Sequence, residues 1–72
     1  MEKNFSIAWV SRNGEIPGDD GLAESEVGDA IKTFTAILLA ECATEEERDG
    51  INSGDIVVLK DDEVIDRLPV AA

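Results

Sequence analysis

The spacing of hydrophobic positions changes from two to three-and-four and back again along the chain. From Phe5 to Val10, Phe5, Ile7 and Trp9 fall on one face and Ser6, Ala8 and Val10 on the other. Period two with β-branched and aromatic side chains predicts a strand with one buried face. Asn13-Gly14 follows, a dipeptide that accepts positive φ at both central positions of a type I′ turn. Such a turn would set Arg12 opposite Glu15, a favourable cross-strand pair. A second strand starting at Glu15-Ile16 meets Pro17 and Gly18 at once, so it is short or absent.

From Leu22 the period becomes helical. Val27, Ala30, Ile31, Phe34, Ile37 and Leu38 recur at three and four, which predicts a helix with one apolar stripe. Asp20 is a candidate N-cap, with Ser25 serving for a later start. Glu24 and Glu26 suit the positive end of the helix dipole. Gly28 costs about 1 kcal/mol relative to alanine, and a small residue there lets the helix approach the sheet. Glu45, Glu46 and Glu47 are poorly placed at a helix C-terminus and well placed at the start of a new helix. Thr44 followed by Glu47 matches a capping box. A break near Ala43, then a short helical turn through Asp49 stopped by Gly50, is favoured over one helix from Leu22 to Arg48.

The stretch Ile51 to Asp55 is turn chemistry. Ile56, Val57, Val58 and Leu59 are four consecutive apolar residues, the pattern of a strand covered at least partly on both faces. Glu63 to Val70 is its hairpin partner, with Asp61-Asp62 at the bend and Lys60 facing Glu63 if the loop has two residues. Residues 1–72 therefore form a single α+β domain of β-β-α-β-β order. One long helix packs on one face of a three- or four-stranded, mostly antiparallel sheet. The long crossover also permits parallel contact between the first strand and a late one.

Composition limits what such a domain does. Seventeen acids face six bases, a formal net charge of −11. A field of this sign repels nucleic acid and anionic membranes, so partners are basic or neutral. Cys42 is the single cysteine, which fits a reducing compartment. The N-terminal stretch lacks the apolar core of a signal peptide. The longest apolar runs fall far short of the ~20 residues that cross a bilayer. A cytoplasmic location is the expectation.

Residue-level chemistry is sparse. A calcium loop fails on spacing: counting from Asp19 puts Gly21 third, and counting from Asp49 puts Ile51 third and Lys60 twelfth. With no histidine and one thiol, neither a structural zinc site nor an activated serine is expected. Cys42 reads as a small buried hydrophobe, and Trp9 as core more than as a binding anchor. No cofactor, metal or enzymatic activity is expected.

The carboxylates remain, in three groups. Residues 15 to 29 hold six acids and no base, residues 41 to 49 five acids and Arg48, and residues 61 to 66 four acids. A DNA duplex carries one charge per ~1.7 Å of axis, and carboxylates along a helix flank can imitate part of that array. The candidate partner-binding residues are Asp19, Asp20, Glu24, Glu26, Asp29, Glu45, Glu46 and Glu47. Solubility alone is the plain alternative.

In outline, Phe5 to Gly21, a helix, then Gly54 to Val70 resembles short bacterial proteins of unknown function with β-β-α-β-β order. In size, acidity and element order the chain also resembles small phage-encoded inhibitors such as anti-CRISPR proteins. The resemblance implies a compact binding protein with no catalytic residues to carry over. The expected function is thus a non-enzymatic acidic module, an inhibitor occupying a basic groove of a nucleic-acid-handling protein. The alternative is a self-associating scaffold module, a homodimer through an exposed sheet face or edge.

Overall fold

The computed structural model describes residues 2–71. Strands β1 (Phe5–Ser11), β2 (Gly14–Pro17), β3 (Asp55–Lys60) and β4 (Glu63–Pro69) form one sheet, with helices α1 (Val27–Ala40) and α2 (Glu45–Asn52) between the two hairpins. The spatial order is β2-β1-β3-β4, and every pairing is antiparallel. The crossover therefore returns β3 antiparallel beside β1, and the parallel contact that the long connection permitted is not made.

The core follows the two periodicities. Phe5, Ile7 and Trp9 on β1 meet Ile56 and Val58 on β3 and Ala30 and Leu38 on α1. Ile7 and Ile56 are the largest of the fully buried side chains, each 2% exposed. Trp9 is core, as expected, and its indole Nε1 donates to the Ile51 carbonyl at 3.0 Å. Ile37 departs from the expected stripe and is 50% exposed. The segment running from Gly18 flanks Ala30 and Thr33, and Ile37 lies a helical turn beyond that shield.

Both turns between strands differ in kind. Asp61 and Asp62 take φ of 52° and 67°, so the second hairpin turns over two residues with Lys60 opposite Glu63, as expected. The first hairpin pairs Ser11 with Gly14 and Val10 with Glu15. Its loop is Arg12-Asn13, one residue earlier than the type I′ reading, and Arg12 does not face Glu15. The Ser11 hydroxyl oxygen accepts from the Asn13 N–H at 3.2 Å, which holds the loop at negative φ. The positive φ, 151°, falls on Gly14. β2 is real and includes Pro17, tolerated because β2 is an edge strand.

The helices begin and end on local bonds. Neither Asp20 nor Ser25 is the N-cap. A 3-10 turn, Glu24–Glu26, precedes α1, with Ala23 at its cap position. There the Glu26 carboxylate reaches back to accept from the Ala23 N–H at 2.8 Å. The break near Ala43 is present. Thr44 caps α2, its hydroxyl oxygen accepting from the Glu47 N–H at 3.2 Å, which sets the three glutamates in the first turn. Gly50 does not stop α2, which runs on to Asn52 and ends where the Ser53 hydroxyl donates to the Gly50 carbonyl. Nor does Gly28 serve close packing, since its missing Cβ faces open space.

Two glycines do serve it. A Cβ on Gly18 would come within 2.9 Å of the Ile7 carbonyl oxygen, and one on Gly54 within 2.5 Å of the Trp9 indole.

One helix, about 10 Å across, cannot cover four strands spanning about 19 Å. α1 lies over β1 and β3, leaving Ile16 on β2 and Ile65 and Leu68 on β4 exposed on its own side of the sheet. Among the described residues, no helix or strand covers the opposite face. There β3 is covered only partly, as expected: Val57, shaded by its neighbours on adjacent strands, is 5% exposed, and Leu59 is half-buried. Registry places Val57 beside Ala8 and Arg67, and Leu59 beside Ser6 and Val64.

Candidate functional site

The acidic residues occupy two ends of α1 and the flank between β1 and the helix. Backbone bonds hold residues 18–22 alongside β1: Gly18 N–H donates to Ile7, Ile7 to Asp19, and Phe5 and Leu22 exchange a pair. Gly21, at φ 61°, makes the bend. This places Asp19 beside the first turns of α1, where Asp19, Glu26 and Asp29 border a shallow recess of about 320 Å³. Glu24 points to the other side of the 3-10 turn, beside Phe5 and Lys60. The Asp61-Asp62 bend is at this same end, because Lys60 pairs with Phe5 and Asn4 Nδ2 donates to Asp61 Oδ2 at 3.0 Å.

Glu45, Glu46 and Glu47 stand apart. They follow the C-terminus of α1, whose 14 residues span about 21 Å at the usual rise. Of the eight candidates, the fold brings Asp19, Glu26 and Asp29 together, holds Asp20 and Glu24 near them, and leaves Glu45 to Glu47 at the far end. Among the described residues a single ion pair forms, Arg67 Nε to Asp55 Oδ2 at 2.7 Å. None of the eight candidates takes part in it, and all eight are exposed. Two have local duties: Glu26 caps the 3-10 turn, and Glu47 accepts from the Thr44 hydroxyl at 3.5 Å.

A concavity lies at the far end as well. A cleft of about 740 Å³ opens between the β1–β2 hairpin and α2, floored by Trp9, Ile16, Leu38 and Ile51 and edged by Arg12, Glu41 and Glu47. Sequence reasoning did not find it. Ile16 belongs to a strand read as short or absent and Ile51 to a segment read as turn; Ile16 reaches Trp9 through the β1–β2 register, and Ile51 through α2 folding back. Cys42 lines the same cleft and is half-buried rather than buried, its thiol donating to the Leu38 carbonyl at 3.2 Å. The Ser53 hydroxyl donates to Gly50 and the Ser11 hydroxyl to Gly14, so the cleft's three candidate nucleophiles are engaged with backbone carbonyls. Among the described residues no three of His, Cys, Asp or Glu gather as a metal site, and no helix is long and apolar enough to cross a membrane.

No family model, curated protein or solved structure matches the chain. The site is therefore read from its geometry alone.

Proposed function

We propose that this chain is a non-enzymatic acidic protein-binding module that docks on a basic groove of a nucleic-acid-handling protein and blocks it. One observation carries the reading: a formal charge of −11 is left almost wholly uncompensated, with one ion pair among the described residues, and that pair engages Asp55 alone. Surface carboxylates without internal partners are free to meet Lys and Arg elsewhere, and a field of this size speeds encounter with a cationic surface. The two ends of α1 present Asp19, Asp20, Glu24, Glu26 and Asp29 on one side and Glu45, Glu46 and Glu47 on the other. Their separation of about 21 Å suits a groove long enough to hold a nucleic-acid segment. The absence of histidine and the engagement of Ser11, Cys42 and Ser53 with backbone favour binding over catalysis.

The test is capture of basic proteins from host extract at low and at high salt, followed by binding to the purified partner. Affinity should fall steeply with ionic strength. Reversal of Asp19, Asp20 and Glu24 to lysine should abolish it, and reversal of Glu45 to Glu47 should weaken it separately. Binding that ignores salt and survives both reversals ends the proposal.

A further inference from the structure

The uncovered face of the sheet carries little charge. An antiparallel sheet with one solvated face ordinarily alternates apolar inward with polar outward. Here the outward positions of the central strands are Ser6, Ala8 and Val10 on β1 and Asp55, Val57 and Leu59 on β3, with Val64 next to Leu59 on β4. Val64 is 54% exposed. The charged strand positions on this face are Glu15, Asp55 and Arg67, and the last two neutralise each other. A chain of net −11 thus keeps one nearly neutral, apolar side.

We infer that this face is a dimer interface, on which a second copy of the chain packs sheet to sheet about a two-fold axis. Several arguments select a second copy as the occupant. A neutral apolar face complements itself, whereas the acid-bearing surfaces complement only cations. Stacked sheets lie about 10 Å apart, which keeps both helix layers outside. Their carboxylates are then farther apart than the Debye length of about 8 Å at physiological salt, so the charge does not forbid the contact. Leu59, half-buried in the single chain, gains cover on this face, whereas Val57 is already buried. Two strands of seven residues, one of six and one of four offer about 380 Å² of sheet at the usual rise and spacing. Two such faces fall somewhat short of the 1,000 Å² or so at which lasting specific interfaces begin. The dimer is accordingly weak and concentration-dependent. This surface carries none of the acids assigned to the basic partner, so either proposal can fail without the other.

The experiment is sedimentation equilibrium of the full chain from micromolar to millimolar concentration, with Val64→Lys and Ile65→Lys as a matched pair. These neighbours are 54% and 52% exposed, and each substitution adds the same positive charge. Val64 belongs to the outer face, while Ile65 lies at the bulge on the helix side with Val27 and Ile31. The wild-type average mass should rise from 7.7 kDa towards twice that value. Added salt should strengthen the dimer, opposite to its effect on a basic partner. Val64→Lys should hold the chain monomeric despite easing net repulsion, and Ile65→Lys should not. A wild type that stays monomeric throughout overturns the inference. So does a pair of variants that behave alike.

Discussion

Gly54 and Trp9 make a coupled pair whose energetics can be worked out from their contact. A Cβ built on Gly54 would stand 2.5 Å from Cε2 and Nε1 of the indole and 2.7 Å from Cζ2. Carbon atoms settle at about 3.5–4.0 Å, so Gly54→Ala requires a relative movement of about 1 Å. Neither side yields easily. The Gly54 backbone is held by its N–H to the Ile51 carbonyl at 3.1 Å and by the Val70 N–H to its own carbonyl at 3.2 Å. The indole is held by Nε1 to the same Ile51 carbonyl at 3.0 Å. Overpacking costs about 1–3 kcal/mol, and stretching the indole bond adds about 1 kcal/mol. The loss of unfolded-state freedom returns only about 0.4–1 kcal/mol. Gly54→Ala should therefore destabilise by about 2 kcal/mol, or roughly 8–16 °C in Tm for a domain of this size.

Trp9→Phe replaces the indole, whose Cε2, Nε1 and Cζ2 are the atoms in the way, with a smaller ring. Alone it should also cost about 2 kcal/mol, from the lost hydrogen bond and the vacated volume. The Ile51 carbonyl keeps its bond from Gly54, so it is not orphaned. In the Trp9→Phe background the new methyl at position 54 enters vacated space, and its cost should fall near zero. The double variant should then be more stable than the sum of the singles by about 2 kcal/mol, well above the ~0.5 kcal/mol scatter of independent sites. Urea unfolding followed by far-ultraviolet circular dichroism measures all four proteins without relying on tryptophan emission. Additivity within that scatter would refute the contact and the placement of Trp9 over Gly54.

Asp62→Gly should raise stability by about 0.5–1 kcal/mol, because a φ of 67° strains a residue with a Cβ; urea midpoints will show it, and a loss would contradict the turn. Gly50→Ala should add up to about 1 kcal/mol, since Gly50 lies inside α2 with nothing within 4 Å of a new Cβ. Thr44→Ala should cost about 1 kcal/mol by releasing the Glu47 N–H, and helicity near α2 will report it by hydrogen exchange. Raising salt from low to physiological levels should increase Tm, because a net charge of −11 with one ion pair among the described residues repels itself. A Tm that falls on adding salt would mean that attractive pairs dominate.

Periodicity alone located β1, α1 and β3, because each buries a stripe that only one regular structure can present. The place of the Asp61-Asp62 bend was legible too, but its two-residue length was not, because Asp-Asp is a weaker turn signal than Asn-Gly. What escaped the sequence depended on a single competing bond or a distant shield. The first hairpin turned one residue early because the Ser11 side chain holds Asn13. α2 ran through Gly50 because Ser53 closes it. Ile37 was exposed because the chain from Gly18 flanks only the earlier turns of α1. The acid groups could be counted but not placed. Asp19 reaches Asp29 only through the backbone bonds that lay residues 18–22 along β1, and Glu45 to Glu47 are carried away by the whole length of α1. The apolar outer face was hidden by the β4 bulge, which sends Val64 and Asp66 to opposite sides of the sheet although they are two residues apart.

The same bulge bears on how this sheet meets other molecules. An open sheet has two edges, each a row of unpaired N–H and C=O groups that can template another strand. Both are blunted here. β2 has four residues and ends in Pro17, which has no N–H to offer. On β4 the ladder to β3 slips between Val58 and Leu59, and the Asp66 carboxylate accepts from the Arg67 N–H at 2.9 Å, occupying a donor that a new strand would need. A sequence that had merely failed to exclude self-association would leave edges and face alike unguarded. Protection at the edges beside an outer face of alanine, valine and leucine is selective, and it directs any association of the sheet to face-to-face stacking.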